Sequence, residues 1–421
     1  MRKTARIRAS LLKGEIDIPP SKSHTMRALV FATLAKEKST IRNYLSSPDT
    51  QAMIQACRLL GAKIDVFSDR IEVVGNIRPA EDVIHAGNSG QVLRFIGAIS
   101  ALTSEYTVLT GDYSIRHLRP VQPLLDGLNQ LGCFAVASRG DGQAPIIIRG
   151  PLKGGTALID GQDSQPVSGL LMASAFASQK TEIYVTNPGE QPWVALTLSW
   201  FDRLGISYRN ENFEKYSLPG CAVIDGFEYV IPADWSSASY PIAAALITNS
   251  ELTLHGVDFE EPQGDKEFIS LIQEMGAKFE KGKRSLKILP GAQLRGCKIE
   301  MGRFIDAITL LAVVGCFAKG KTELVGAEIA RRKECDRIHA IVTELKKMGA
   351  KIIEKPDGLI VEQSALNGAA IESYSDHRMA MSLTVAALGA AGESVVSGVD
   401  SIGKSFPQFF EKLQQLGAQI E

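Results

Sequence analysis

The chain has 421 residues, of which 45% are hydrophobic and 22% are charged, and its formal net charge is −1. This is the composition of a globular protein long enough for about two or three domains, and the balanced charge argues against a broad nucleic-acid or membrane-binding surface. The longest apolar run, residues 307–317, is well short of the roughly 20 residues that span a bilayer. No apolar segment follows the basic N-terminus, and the six cysteines form no C-x-x-C pair, so we expect no signal peptide and free thiols in a reducing cytoplasm.

The first candidate site is a turn that follows two prolines near the N-terminus. Proline lacks the N–H that a strand ladder needs, so Pro20 ends a strand-like run. Ser21 then stands where a helix N-cap is favoured, before a helix predicted over residues 25–35. Lys22, Ser23 and Arg27 add cations and a hydroxyl group to this helix start, which could hold an anion. A capped helix with solvated basic residues is the alternative.

A short sequence pattern recurs along the whole chain. It consists of an amphipathic helix, then Leu or Met, Gly and a small or apolar residue, and then an alternating strand. The pattern recurs at Gly61, Gly132, Gly205, Gly276, Gly349 and Gly417. Successive glycines are 71, 73, 71, 73 and 68 residues apart, and a glycine after a helix is typical of a left-handed C′ residue.

A unit of about 70 residues is too long for a solenoid repeat and can hold a β-α-β-α-β-β motif. Six units predict an α/β fold with two lobes of three units each and the helices packed inside. A six-unit ring of the DNA-clamp type is the alternative, but the net charge of −1 does not favour the basic lining that a clamp needs.

The chain is expected to cross between the lobes just before Pro20 and again near residues 230–234, where Asp234 can cap a new helix. One predicted lobe is therefore residues 20–233. The other is discontinuous and joins residues 1–19 to residues 234–421. Several helix starts could point into the space between the lobes, so we expect the active site in that cleft.

Further polar clusters stand at predicted helix starts. Residues 87–94 form a glycine-flanked turn, residues 114–120 a basic loop, and Asp163 can cap the next helix. Asp306 precedes the apolar run and is either an N-cap or a partly desolvated base. Residues 331–337 are the densest charge cluster, and residues 375–378 and Lys404 also precede helices.

Taken singly, each of these clusters has an ordinary structural explanation as a turn, a cap or a solvated loop. Together they place many cations at helix starts, namely Lys22, Arg27, Arg94, Arg119, Lys333, Arg337, Arg378 and Lys404. Such a set requires a shared guest with several negative charges, such as phosphates and carboxylates. Asp306 and Glu334 add acid–base capacity. His377 lacks the partner spacing of a zinc site.

These motifs resemble those of the 3-phosphoshikimate 1-carboxyvinyltransferase (EPSP synthase) family and occur in that family's order over almost the whole chain. The most specific are residues 20–23, 234–238, 333–337, 376–381 and 404–407. The resemblance implies the two-lobed enolpyruvyl-transferase fold. It also implies transfer of the enolpyruvyl group of phosphoenolpyruvate to the 5-hydroxyl of shikimate 3-phosphate, on the route to chorismate and aromatic amino acids. The implied mechanism is addition and elimination through a tetrahedral intermediate, without metal or organic cofactor, in a cytoplasmic monomer.

The resemblance also implies residue roles. Asp306 would accept the proton of the attacking 5-hydroxyl, while Glu334 and Lys22 would move protons onto and off the enolpyruvyl methylene. The residues implied for shikimate 3-phosphate are Lys22, Ser23, Arg27, Asp163, Ser164, Gln165, Asp306 and Lys333. The residues implied for phosphoenolpyruvate are Lys22, Asn88, Gly90, Arg119, Gln165, Arg337, Arg378 and Lys404.

Two acids, Asp163 and Glu190, stand where the family usually has serines that hold the 3-phosphate. A like-charge pair at about 4 Å costs roughly 1–4 kcal/mol, depending on screening. A nearby cation such as Arg116 could compensate, an acid could be protonated, the side chains could point away, or the acceptor could lack this phosphate.

The sequence disfavours two other functions. The sister family that acts on UDP-N-acetylglucosamine typically has a loop cysteine, which residues 114–120 lack. A polyanion-binding paralogue without catalysis is disfavoured by the presence of Asp306, Glu334 and Lys22.

Overall fold

A computed structural model describes residues 3–421, which divide into two compact units. The discontinuous unit consists of residues 3–19 and Pro232–Glu421, and the central unit is Pro20–Ile231. Each unit has its own hydrophobic core. None of the helices in the part of the chain that the structure describes is long and apolar enough to cross a membrane.

The secondary structure alternates between short strands and helices along the chain. The strands are β1 (Thr4–Arg8), β2 (Lys13–Asp17), β3 (Lys38–Arg42), β4 (Lys63–Val66), β5 (Arg70–Val74), β6 (Ile84–His85), β7 (Tyr106–Thr110), β8 (Phe134–Ala137), β9 (Ile146–Arg149), β10 (Gly155–Asp160), β11 (Thr181–Thr186), β12 (Arg209–Glu211), β13 (Lys215–Leu218), β14 (Glu228–Val230), β15 (Glu251–His255), β16 (Lys278–Lys281), β17 (Ser285–Leu289), β18 (Lys298–Glu300), β19 (Lys321–Val325), β20 (Lys351–Lys355), β21 (Gly358–Glu362), β22 (Ala370–Glu372), β23 (Glu393–Ser397) and β24 (Gln419–Ile420). The α-helices are α1 (Lys22–Leu34), α2 (Pro48–Leu59), α3 (Gly97–Ser100), α4 (Tyr113–His117), α5 (Gln122–Gln130), α6 (Ser164–Ala175), α7 (Gln191–Leu204), α8 (Trp235–Ile247), α9 (Glu267–Glu274), α10 (Ile308–Phe317), α11 (Arg337–Lys347), α12 (His377–Leu388) and α13 (Phe409–Gln415). Short 3₁₀ turns lie at Gly264–Lys266, Ile305–Ala307, Glu328–Arg332 and Val399–Lys404, and one π-helical turn at Val92–Ile96 precedes α3.

The described strands form six four-stranded sheets with one shared topology. The strand orders in the central unit are β14-β3-β5-β4, β6-β7-β9-β8 and β10-β11-β13-β12. Those in the discontinuous unit are β16-β17-β15-β2, β18-β19-β21-β20 and β22-β23-β1-β24. In every sheet the outer strand that comes first in the motif pairs in parallel with its neighbour, and the other pairs are antiparallel. The sixfold β-α-β-α-β-β organisation expected from the sequence is confirmed.

Strands distant in sequence complete several of these sheets. β1 pairs with β23 and β24, and β2 pairs in parallel with β15, so the N-terminal strands belong to the discontinuous unit. β14 returns to pair in parallel with β3 and completes the first sheet of the central unit. This long-range pairing explains why one unit is built from two separate segments of chain.

The recurring glycines have the conformation that the sequence predicts. All six have positive φ, between 67° at Gly205 and 114° at Gly276. A β-carbon on Gly61 would lie 2.4 Å from the carbonyl oxygen of Asn76, so this position also lacks room for a side chain. The glycines therefore end the helices and turn the chain into the next strand.

Helix α1 begins earlier than the prediction of residues 25–35. Ser21 is its N-cap, as expected, and the Ser21 hydroxyl accepts a hydrogen bond from the N–H of His24 at 3.4 Å. Lys22 and Ser23 consequently lie in the first turn of the helix and not in the preceding turn. The sequence did not predict this, because a run of polar residues is also typical of a loop.

Candidate active site

Side chains from successive helix starts of the discontinuous unit meet in one acid–cation network. Asp306 lies in the turn before α10, Glu334 precedes α11, and Lys404 ends the 3₁₀ turn before α13. Asp376 is the N-cap of α12. The members of the network are Asp306, Glu334, Arg337, Asp376, Arg378 and Lys404.

Part of the network lies at helix starts because two of the helices that follow, α10 and α12, are buried and largely apolar. Residues 308–316 of α10 and all of α12 are buried. The two helices are joined by a hydrogen bond of 2.8 Å from the Ser382 hydroxyl to the Thr309 hydroxyl. The charged groups of these two segments lie where the helices begin, and Asp306 and Arg378 meet there.

Arg337 is the centre of this network and is only 1% exposed. Its Nε lies 2.7 Å from Asp376 Oδ2, its Nη1 2.8 Å from Asp306 Oδ1, and its Nη2 2.8 Å from Glu334 Oε2. Burial alone would lower the pKa of Arg337, but the three carboxylates raise it well above its ordinary value. The guanidinium therefore stays charged and holds three acids in fixed positions.

Asp306 is held by two arginines. Its Oδ1 accepts from Arg337, and its Oδ2 accepts from Nη2 of Arg378 at 2.8 Å. Burial raises the pKa of Asp306, but Arg378, Arg337 and Lys333 together outweigh it and hold the pKa below its ordinary value. A carboxylate in this state is a weak base until some of the surrounding positive charge is taken by another anion.

Glu334 bridges Arg337 and Lys404. Its Oε1 accepts from Nζ of Lys404 at 2.8 Å, and its Oε2 accepts from Arg337. Lys333 is half-buried beside this group, where its charge contributes to the low pKa of Asp306. The three cations expected at a phosphoenolpyruvate site in this unit, Arg337, Arg378 and Lys404, therefore come together with both expected acids.

One buried acid next to Arg378, Asp265, was not singled out from the sequence. Asp265 lies 3.9 Å from Nη1 of Arg378 and accepts a hydrogen bond from the Ser236 hydroxyl. Burial raises the pKa of Asp265 to about 7, against the opposing effect of Arg378. A lone Asp in the turn before α9 carries no sequence signal for this contact. Asp376 was quoted within a motif, but its role as a partner of Arg337 depends on tertiary packing.

In the central unit, the α1 residues expected at the acceptor site lie in the first two turns of the helix. Nζ of Lys22 lies 3.5 Å from Asp49 Oδ2, a second acid that the sequence analysis did not select. Arg27 is 2% exposed, and it donates to the hydroxyl of Thr197 and to the backbone carbonyl groups of Ser23 and Trp193 at 2.9–3.2 Å.

The charge of Arg27 is not neutralised by a neighbouring acid. No carboxylate among residues 3–421 forms an ion pair with Arg27, and its guanidinium lies 5.1 Å from the centre of the Phe95 ring. Burial lowers the pKa of Arg27 to about 9. A buried cation of this kind favours an anionic guest.

A second group in the central unit surrounds Gly90. A β-carbon on this glycine would lie 2.7 Å from Nη1 of Arg94, 2.9 Å from Nη1 of Arg119 and 3.0 Å from Oε1 of Gln165. Three residues expected at the phosphoenolpyruvate site, Gly90, Arg119 and Gln165, therefore converge, and glycine is needed where they meet. Asn88 lies in the same turn, where its Nδ2 donates to Asp112 at 2.6 Å and to Ser114 at 3.0 Å.

The two acids at the usual serine positions have defined partners. Asp163 caps α6 and its Oδ2 lies 3.0 Å from Nη2 of Arg94. Glu190 is buried, and its Oε2 accepts from the N–H of Ser164 at 3.2 Å and from the Ser164 hydroxyl at 3.1 Å. Arg116, considered as a compensating cation, instead donates to the carbonyl group of Gly111.

Comparisons with known proteins give one consistent family. A family model described as EPSP synthase (3-phosphoshikimate 1-carboxyvinyltransferase) matches residues 8–413. A protein of Acetivibrio thermocellus named 3-phosphoshikimate 1-carboxyvinyltransferase is 43% identical over 418 residues, covering 99% of this chain and 98% of that protein. A protein of Chlamydia caviae with the same name is 40% identical over 423 residues, covering 99% and 94%. A solved EPSP synthase structure from Acinetobacter baumannii superposes with a TM-score of 0.82 at 26% identity, covering 99% of each chain.

Proposed function

Since the chain belongs to the EPSP synthase family, we propose that it transfers the enolpyruvyl group of phosphoenolpyruvate to the 5-hydroxyl of shikimate 3-phosphate and releases phosphate. The observation that carries this proposal is the acid–cation network, which combines three cations for a polyanionic substrate with two acids for proton transfer. The reaction is one step on the route to chorismate and the aromatic amino acids.

Phosphoenolpyruvate is assigned to the cations of the network and to the group around Gly90. Arg337 and Arg378 present planar guanidinium groups suited to a carboxylate or a phosphate, and Lys404 adds a third charge. Arg119, Gln165, Asn88 and Lys22 are assigned to the same substrate from the central unit. As the leaving phosphate gains charge, these fixed cations stabilise the transition state more than the ground state.

Asp306 is assigned as the base for the 5-hydroxyl of the acceptor. Its low pKa comes from Arg378, Arg337 and Lys333, and the two arginines are also assigned to phosphoenolpyruvate. When the anionic substrate binds to these arginines, less positive charge acts on Asp306. The pKa of Asp306 then rises toward the range of an effective base. Substrate binding therefore activates the base, and the base stays inactive while the site lacks substrate.

Glu334 and Lys22 are assigned to proton transfer at the enolpyruvyl methylene. Glu334 is held between Arg337 and Lys404, so its carboxylate has a fixed orientation and little freedom to turn away. In the addition step a proton is added to the methylene carbon, and in the elimination step it is removed as phosphate leaves. One acid and one base placed next to the methylene carbon are sufficient for both steps.

Shikimate 3-phosphate is assigned to the start of α1 and the start of α6. Arg27 would receive the shikimate carboxylate, which offsets the cost of burying its charge. Ser23, Ser164, Gln165 and Lys333 complete the assignment. At Ser164 the 3-phosphate would compete with Glu190, which already accepts from both donors of that serine, so Glu190 has to release Ser164 or carry a proton when the phosphate binds.

Phosphate release from phosphoenolpyruvate is the experiment that tests this function. Purified protein should release phosphate only when shikimate 3-phosphate is present, with the enolpyruvyl ether detected by mass spectrometry. Unphosphorylated shikimate and UDP-N-acetylglucosamine are the matched acceptors, and they distinguish this transferase from the sister transferase and from a paralogue without catalysis. Turnover with either of these, or none with shikimate 3-phosphate, would contradict the assignment. We further propose a cytoplasmic monomer, which light scattering and cell fractionation would check.

A further inference from the structure

The chain enters the start of α12 through a turn with two consecutive left-handed residues. Tyr374 has φ 56° and Ser375 has φ 57°, although neither is glycine or asparagine. Such residues are uncommon and persist only where surrounding contacts determine the backbone. Asp376 follows directly and caps α12, so the backbone of this turn sets where the helix and its first residues lie.

Glu344 supplies the contacts that hold this turn. Its carboxylate is completely buried in α11, and its Oε1 accepts from the Tyr374 hydroxyl at 2.8 Å. Its Oε2 accepts from the N–H of Glu372 at 3.0 Å. Nζ of Lys347 lies 2.8 Å from both oxygens and offsets the buried charge. Burial and the contact with Glu344 raise the pKa of Tyr374 to about 12, so its hydroxyl remains a donor.

Helix α11 also contacts the start of α12 at a second point. Arg337 and Glu344 are seven residues apart on α11 and therefore lie on the same face, two turns apart. Arg337 binds Asp376 at 2.7 Å, while Asp376 in turn accepts from the N–H of Arg378 at 2.8 Å. A shift of the turn would therefore move Asp376 and Arg378 together, and with them the contact of Arg378 with Asp306.

We infer that Glu344 and Tyr374 are positioning residues for enolpyruvyl transfer, because they hold a strained turn that sets the geometry of Arg337 and Arg378. Neither touches the reacting groups, and both act through Asp376. The inference rests on the proposed function, since it assigns its effect to phosphoenolpyruvate. It predicts that loosening the turn weakens phosphoenolpyruvate binding while leaving the acceptor site on α1 unchanged.

The test uses Tyr374→Phe, which removes only the hydroxyl group. We expect kcat/KM for phosphoenolpyruvate to fall about tenfold, the loss typical of one hydrogen bond to a charged group, mainly through a higher KM. The KM for shikimate 3-phosphate should stay within about twofold. Tyr184→Phe is the matched control, because it removes a hydroxyl that donates to Glu182 on the surface of the central unit, and it should leave both KM values unchanged.

Rescue distinguishes positioning from a general loss of structure. Ser375 is exposed, and glycine adopts positive φ without steric cost. Adding Ser375→Gly to Tyr374→Phe should therefore restore kcat/KM for phosphoenolpyruvate to within about threefold of the unsubstituted protein.

Direct binding of phosphoenolpyruvate, measured by calorimetry, separates this inference from the proposed function. If the unsubstituted protein lacks transferase turnover, the function fails, while the dissociation constants of the variants still test the positioning. Equal binding by the unsubstituted protein and Tyr374→Phe, no detectable binding by either, or no recovery with Ser375→Gly would overturn the inference.

Discussion

Replacing Asp306 by Asn should separate catalysis from stability. The substitution keeps the shape of the side chain but removes its charge and one of its two acceptor oxygens. General-base catalysis typically contributes 10²–10⁴ in rate, so we expect kcat to fall at least about 100-fold. The measurement is phosphate release with both substrates saturating.

The structure predicts only a modest loss of stability for the same variant. Asp306 accepts two hydrogen bonds of 2.8 Å from guanidinium groups, and removing a buried ionic partner typically costs 3–5 kcal/mol. In this variant Arg337 keeps its ion pairs with Glu334 and Asp376, and the side-chain carbonyl group of the Asn still accepts one hydrogen bond. We therefore expect the free energy of unfolding in urea to decrease by about 2 kcal/mol.

The control is Asp336→Asn, in the same charge cluster but outside the network. Asp336 caps α11 and pairs with Arg331 at 2.8 Å, and Asn is an equally good N-cap. This variant should keep kcat within about threefold, as surface ion pairs contribute little. If Asp306→Asn retained more than about a tenth of the original kcat, while both variants were folded, Asp306 would not be the base.

Three further predictions concern charge. Glu190→Gln should lower KM for shikimate 3-phosphate by about fivefold or more, because a like charge near the phosphate costs roughly 1–4 kcal/mol; an unchanged or higher KM in steady-state assays would show that Glu190 does not oppose the phosphate. Lys22→Met should raise the dissociation constants of both substrates in calorimetry, and unchanged binding of either would contradict its shared role. Burial raises the pKa of Asp265 to about 7, above its unfolded value, so its neutral form is favoured in the fold and ionisation reduces stability as pH rises from about 4 to 7. Asp265→Asn should accordingly gain stability relative to the unsubstituted protein between pH 5 and pH 8 in urea unfolding, by about 1–3 kcal/mol, and a relative loss would contradict the raised pKa.

The sequence predicted the fold well where the evidence is local and periodic. The six glycines after amphipathic helices revealed the number of repeats because each has a local conformational requirement that only glycine meets easily. The pairing of β1 with β23 and β24 has no comparable local signal, since it joins the two ends of the chain. Likewise, the start of α1 was placed three residues late because Lys22, Ser23 and His24 are polar and show no apolar helical periodicity.

The candidate site was predictable as a list of residues but not as a set of contacts. Arg337, Arg378 and Lys404 were identified because cations at helix starts are unusual, and Asp306 because an acid preceded an apolar run. The contacts of their partners could not be predicted in the same way. Asp376 lies in a distinctive motif, but its contact with Arg337 depends on packing, and Glu344 is an ordinary acid on α11 that packing brings to Tyr374.

The cations at these helix starts are opposed by the dipoles of their own helices, so their charge has to be neutralised by acids. The N-terminus of a helix favours negative charge, yet Arg378 lies in the first turn of α12 and Arg337 begins α11. Asp306, Glu334 and Asp376 neutralise this positive charge. In the proposed reaction, the carboxylate and phosphate groups of phosphoenolpyruvate share the charge of Arg337 and Arg378 with Asp306, while Glu334 stays between Arg337 and Lys404. This sharing would raise the pKa of Asp306, so the binding of the substrate would also prepare the proposed base.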